Sequence, residues 1–235
     1  MYKEKSIAAI ILARRCSSRL KDKMLLPFGN STVVETVIER IKHSDLIDSF
    51  VLATSTNPSD SAFKTIAARS KLSLFRGSEN NVVSRMLFAV NELQPLPDII
   101  VRVCSDNPLL MPTIVDEAIK ILIESNADII TPFRFNSYPF GYSMVVMTKE
   151  CLDKINKHAK ESKYREHVEN FCFDHPSDFI ILYQKAPEHL HFKELSLTLD
   201  YEMDYKKLKR FYSLLKKIPI DKQPEKLINI AKGLR

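Results

Sequence analysis

Short, near-continuous apolar runs recur along the chain at Ile7–Leu12, Phe50–Ala53, Ile99–Val103 and 128–131, and each is followed by residues at helical spacing. A run apolar at every position suits a strand buried on both faces, and helices between such runs point to a parallel sheet covered on both sides. Val33, Val34, Val37, Ile38 and Ile41 make one such helical stripe, opened by a Thr32/Glu35 capping box. Val115, Ala118, Ile119, Leu122 and Ile123 make another, after Pro112 and Thr113 as first-turn signals. The expected fold is α/β and Rossmann-like, three layers deep, around a mixed, mainly parallel sheet.

Beyond about Phe133 the rhythm changes. A strand is expected at Tyr142–Met147, a charged helical stretch near 160–174 and a strand at Phe179–Gln184. The chain then returns to the sheet at Leu195–Leu199 and closes on an amphipathic helix with Leu208, Phe211, Tyr212 and Leu215. We read 1–235 as one domain, with an inserted acceptor or dimerisation segment at about 133–193. At 235 residues, 45% of them apolar, the chain can bury a full core.

Thirty-five Lys and Arg against 29 Asp and Glu give a net charge of +6, which suits an anionic partner. The basic residues are dispersed, without zinc-finger spacing or aromatic interleaving, so nucleic acid is disfavoured. Apolar runs fall well short of the roughly 20 residues of a membrane span. Cys16, Cys104, Cys151 and Cys172 show no paired short spacing, and no signal-peptide core opens the chain, so a cytoplasmic protein is expected.

Chemistry concentrates where strands end, because ligands of open α/β sheets bind at strand carboxyl ends. The first strand runs into Ala13-Arg14-Arg15-Cys16-Ser17-Ser18-Arg19-Leu20-Lys21-Asp22-Lys23, five cations and two hydroxyls within one loop. It lacks the P-loop glycines, the first glycine being Gly29, so side-chain cations would hold phosphate groups there. The opposing reading, a solvated basic loop, is equally compatible with the spacing. Asp106 and Asp200 each follow a predicted strand, and their bland roles are an N-cap and a turn residue.

Taken together, Ala13-Arg14, Ser18-Arg19-Leu20, Lys23 and Leu25 resemble the Ala-Arg-x-x-Ser-x-Arg-Leu-x-x-Lys-x-Leu signature of the cytidylyltransferases that include CMP-sialic-acid and CMP-Kdo synthetases. The closest branch is that of spore coat polysaccharide biosynthesis protein F. The resemblance continues through Ala53-Thr54-Ser55 with Asp60, Arg76-Gly77-Ser78-Glu79 with Val82 and Arg85, and Arg102 to Leu109. It ends on Arg165-Glu166-His167-Val168 and on Leu197 to Asp204, so it covers nearly the whole chain.

The resemblance implies transfer of CMP from CTP to a sugar acid such as a nonulosonic acid or Kdo, with release of pyrophosphate, by a homodimer making surface polysaccharide. It implies Mg2+ on Asp106 and Asp200, with Asp204 as the substitute for Asp200. Arg14, Lys23 and Asp106 become the catalytic set. Ala13, Arg14, Ser18, Arg19, Lys23, Arg76, Ser78 and Arg102 become nucleotide contacts, with Arg76 at the pyrimidine edge. Tyr138, Tyr142, Arg165 and His167 fall on the acceptor side.

Two departures stand out. Pro139-Phe140-Gly141-Tyr142-Ser143-Met144-Val145 replaces a Pro-Asp-Gly-x-Asp-x-Glu segment, exchanging three acids for apolar or hydroxyl groups, so a more apolar or differently substituted acceptor is expected. Asn81 stands where Asp is common. Other readings are guanylyl transfer to a molybdopterin-type acceptor, since Ser17-Ser18-Arg19-Leu20 and Asp22-Lys23 resemble that family's opening, or a silent nucleotide-binding partner.

Overall fold

The computed structural model describes residues 1–17, 19–132, 137–142 and 144–233. Its first strand, β1 (Ile7–Leu12), is buried at all six positions. After a loop and the small hairpin β2 (Pro27–Phe28) and β3 (Ser31–Thr32), α1 (Val33–Ile41) begins on the expected capping box. Thr32 Oγ1 accepts from the Glu35 amide at 3.4 Å, and Glu35 Oε2 accepts from the Thr32 amide at 3.0 Å.

The chain continues through β4 (Ser49–Ser55), α2 (Ala62–Arg69), β5 (Ser73–Gly77), α3 (Val82–Asn91), β6 (Ile99–Cys104) and α4 (Pro112–Ser125). Then come β7 (Ile129–Thr131), β8 (Val145–Thr148), α5 (Lys149–His158), α6 (Lys163–Glu166), α7 (Glu169–Asp174), β9 (Ile181–Tyr183), α8 (Glu202–Leu215) and α9 (Gln223–Gly233).

The main sheet has seven strands among the described residues, in the order β5-β4-β1-β6-β8-β7-β9. All neighbours run parallel except β8, which is antiparallel to both β6 and β7. This is the mixed, mainly parallel α/β sheet expected. Alternation along β1 sends Ile7, Ala9 and Ile11 to one face and Ile10 and Leu12 to the other. The first face packs α1, α2, α4, α8 and α9, and the second packs α3, α5 and α7, so three layers form.

Register fixes the site. Leu12 pairs with Ala53 on one side and Cys104 on the other, which brings the loops leaving β1 and β6 to the same edge. The segment 137–193 supplies β8 and β9 to this same sheet.

Three expected elements differ. Leu195–Leu199 is not a sheet strand: its one bridge joins Ser196 to Phe140, and Leu197 and Leu199 owe their burial to the layer beneath α8. The stretch at 160–174 is broken into α6 and α7 by His167, whose φ of −111° and ψ of 91° are extended. After α8 comes a further helix, α9, which buries Leu227 and Ile228. Among the described residues no helix is long and apolar enough to cross a membrane.

Candidate active site

Lys23 organises the site. The residue is 94% buried, its ammonium donating to Asp106 Oδ2 at 3.1 Å, Asp200 Oδ1 at 3.0 Å and the Leu199 carbonyl at 2.7 Å. Three distant segments thus meet on one charge: the loop after β1, the loop after β6 and the turn before α8. Asp22, in the left-handed conformation at φ 54°, turns the chain inward just before it. Asp204, the substitute ligand, instead caps α8 by accepting from the amides of Asp200 and Tyr201 at 3.2 and 3.0 Å.

Two cavities flank this point. The first, about 250 Å³, includes Ala13, Arg14, Ser17, Arg19, Lys23 and Arg85 in its lining. The second, about 330 Å³, is lined by Phe140, Gly141, Met144 and Val145 on one side and by Asn107, Glu169, Thr198 and Asp200 elsewhere. Arg19, Arg102, Cys104, Asp106 and His167 line both.

The cations are pre-arranged by carboxylates. Arg14 Nη2 lies 2.6 Å from Glu166 Oε1, and Arg19 Nη2 lies 3.0 Å from Asp200 Oδ1 with its guanidinium over the Tyr201 ring. Arg15 pairs with Asp22 rather than with the cavity. Asp60, buried, accepts from the Arg15 amide at 2.8 Å and from Ser55 Oγ, tying this loop to the end of β4.

Deeper in, Arg102 Nη1 stands 3.7 Å from Glu169 Oε2, both side chains over nine-tenths buried. Burial works to lower the Arg102 pKa, but the surrounding Cys104, Glu169 and acidic groups outweigh it and raise it. Burial works to raise the Glu169 carboxyl, yet Arg102 and His167 hold it below the ordinary carboxylate range. The Cys104 thiol is pushed up to about 11 by burial.

Arg14, Arg19, Lys23, Arg102, Asp106, Asp200, Ala13 and His167 are therefore brought together as expected from the sequence. Ser18 lies outside the described residues. Four expected contacts go elsewhere, and a fifth is spent on its own turn. Arg76 donates to the carbonyls of Ser55 at 3.0 Å and Asn57 at 2.8 Å, holding the end of β4, and lines neither cavity. Ser78 Oγ accepts from the Asn81 amide at 3.1 Å in the turn before α3.

Tyr142 is fully buried, its hydroxyl donating to the Pro224 carbonyl at 3.2 Å under α9. Tyr138 is buried with its hydroxyl 3.4 Å from Glu117. Arg165 is exposed and donates to the Lys160 carbonyl. The second cavity is lined by Phe140, Gly141 and Met144 rather than by Tyr138, Tyr142 or Arg165.

The cytidylyltransferase family profile matches residues 8–228. The chain belongs to the cytidylyltransferase family. An uncharacterized protein of Methanocaldococcus jannaschii is 34% identical over 200 residues, covering 85% of this chain and 80% of that one. The spore coat polysaccharide biosynthesis protein SpsF of Bacillus subtilis is 29% identical over 211 residues, covering 88% and 86%. The structure of a cytidylyltransferase from Leptospira borgpetersenii superposes with a TM-score of 0.89 at 26% identity, covering 98% of this chain and 95% of that one.

In this cytidylyltransferase family member, Arg85, Asn107 and Thr198 fell within the matching motifs without being assigned to the site, and Glu169 was not singled out at all. Arg85 is 2% exposed on α3 and donates to the Ser78 carbonyl at 2.7 Å, while burial, with Arg14 nearby, pushes its pKa down to about 10. A charged residue at a helix position otherwise surrounded by Val82, Met86 and Ala89 was the available signal. Thr198 donates to Asn107 Oδ1 at 2.8 Å, and a Cβ on Gly141, at φ +97°, would come 2.9 Å from that same Asn107 oxygen.

Proposed function

We propose that this chain transfers CMP from CTP to a hydroxyl of a sugar acid, releasing pyrophosphate, in surface polysaccharide synthesis. The observation that carries the proposal is Lys23 held between Asp106 and Asp200 where a cation-lined cavity meets a partly apolar one. The triphosphate belongs in the first cavity, where Arg14 and Arg19 form charge-assisted hydrogen bonds and Lys23 acts as a fixed positive charge. The acceptor belongs in the second, so its hydroxyl meets the α-phosphate at the wall containing Asp106. The SpsF name supports a polysaccharide role, and the sugar acid follows from the motif resemblance to CMP-Kdo and CMP-sialic-acid synthetases.

The donor set suits a divalent cation such as Mg2+. Asp106 and Asp200 point carboxylate oxygens at one ammonium, and their side chains keep 26% and 23% exposure. No group of three or more His, Cys, Asp or Glu gathers among the described residues, and hard cations of this kind are commonly held by one or two carboxylates with substrate phosphates and water completing the shell. When bound, such an ion supplies charge neutralisation at the phosphate oxygens. Lys23, Arg14 and Arg19 provide the protein's own share, fixed before substrate arrives.

The test is pyrophosphate release by purified protein with Mg2+, each of the four NTPs and a panel of sugar acids including Kdo and sialic acid. Release that requires CTP together with an acceptor is expected. Release supported equally by all NTPs, or the absence of CTP binding, overturns the assignment.

A further inference from the structure

Five residues line both cavities: Arg19, Arg102, Cys104, Asp106 and His167. If the acceptor hydroxyl meets the α-phosphate at this shared wall, the group that receives its proton belongs among them. Arg19 and Arg102 stay protonated. Cys104 stays a neutral thiol, its pKa pushed up to about 11. Asp106 accepts from Lys23 and is one of the two proposed cation ligands. His167 is the residue left whose ionisation falls near neutral pH.

His167 is also the residue at which α6 gives way to α7, in extended backbone, which lifts its ring out of a helical array and toward the cavities. Its Nδ1 stands 3.8 Å from Glu169 Oε1, an ion-pair distance that tightens into a hydrogen bond with little movement. Glu169 is in turn faced by Arg102. Nε2 has no partner among the described residues.

We infer that, within the proposed transfer on which this inference rests, His167 accepts the proton of the acceptor hydroxyl, and that Glu169 and Arg102 are positioning residues acting through it. The acceptor O–H bond breaks as its proton passes to the imidazole, and the oxygen forms a bond to the α-phosphorus. The bond from that phosphorus to the bridging oxygen breaks, and pyrophosphate leaves with the electron pair. The imidazolium, on a side chain 58% exposed, returns its proton to solvent.

The groups facing His167 set the sign of its pH dependence. Glu169 on α7 raises its pKa most, burial opposes this, Glu166 on α6 adds to the rise and Arg102 on β6 lowers it. Asp106 from the β6 loop, Asp200 before α8, Arg14, Arg19 and Lys23 from the β1 loop and Arg85 on α3 complete the charged surroundings. The net shift is upward, so a base that must be neutral to act loses activity on the acid side at a higher pH than an ordinary imidazole, whose pKa is about 6.5.

The experiment is the pH profile of kcat/KM for pyrophosphate release in wild type, His167→Gln and Glu169→Gln, with melting temperature and CTP binding measured on each. His167→Gln is expected to bind CTP and melt as wild type does, to turn over roughly 10²–10⁴-fold more slowly and to lose the acid limb. Glu169→Gln is expected to move that limb to lower pH. A His167→Gln variant within about two-fold of wild type, with the limb intact, overturns the inference while leaving the transfer standing.

Wild-type protein that releases no pyrophosphate would count against the proposed function instead. In that case histidine NMR decides the pairing alone: the resonance missing from His167→Gln must titrate above an ordinary imidazole and shift down in Glu169→Gln. An unchanged midpoint overturns it.

Discussion

Lys23 and Arg40 are both buried, and they keep different company. Lys23 sits among Asp106, Asp200 and a backbone carbonyl, at the edge of two cavities. Arg40, on α1, is equally enclosed but bonds only neutral groups: the Leu110 carbonyl at 2.8 Å, Gln223 Oε1 at 2.8 Å and Met111 Sδ at 3.1 Å. Burial without a carboxylate pushes the Arg40 pKa down to about 10. Burial alone therefore does not mark a site. Arg40 staples α1, the turn before α4 and the start of α9, whereas Lys23 shares its charge with two carboxylates at the edge of both cavities.

The comparison predicts opposite failures. Lys23→Ala removes a charge that acts most strongly on the transition state, so turnover should fall roughly 10²–10³-fold. A steady-state assay beside a melting curve checks this, and near-normal turnover in a folded variant removes Lys23 from the mechanism. Arg40→Met should do the reverse, leaving the Leu110 carbonyl and Gln223 short of donors at a cost of about 2–4 kcal/mol. Denaturant unfolding reads that loss, while kcat per folded molecule stays near wild type.

The smallest effect separates core from acceptor wall. Tyr142→Phe deletes one buried hydrogen bond, to Pro224, at about 1 kcal/mol in stability, and should leave the acceptor KM within about two-fold. A larger KM change would return Tyr142 to the acceptor site.

The sheet was largely legible because strands buried on both faces need mostly apolar residues, as in β1, whose six positions are all apolar, and in β6, where Arg102 interrupts the run. The same rule misled at Leu195–Leu199, since an apolar run reports burial and not pairing. On the cation side, Arg14, Arg19 and Lys23 stood out by their density in one loop, which fits a solvated loop equally well, and the motif resemblance favoured the phosphate reading. The acceptor side was not, because a tyrosine's type does not reveal which way it faces: Tyr138 and Tyr142 turn inward, and Phe140 and Met144 beside them line the cavity. Glu169 was hidden for a similar reason, since its partner Arg102 lies on a strand far away in sequence.

The reversed direction of β8 has a consequence for how such a protein can change over time. Val145, its first residue, pairs with Arg102 near the end of β6, so the chain reaches the edge that carries both cavities on its way into β8 rather than on its way out. Much of the first cavity is lined by segments leaving β1 and β6, and one side of the second by the segment arriving at β8. Under the proposed transfer, changes confined to Phe140, Met144 and Val145 are expected to alter the recipient while leaving the lining of the first cavity unchanged.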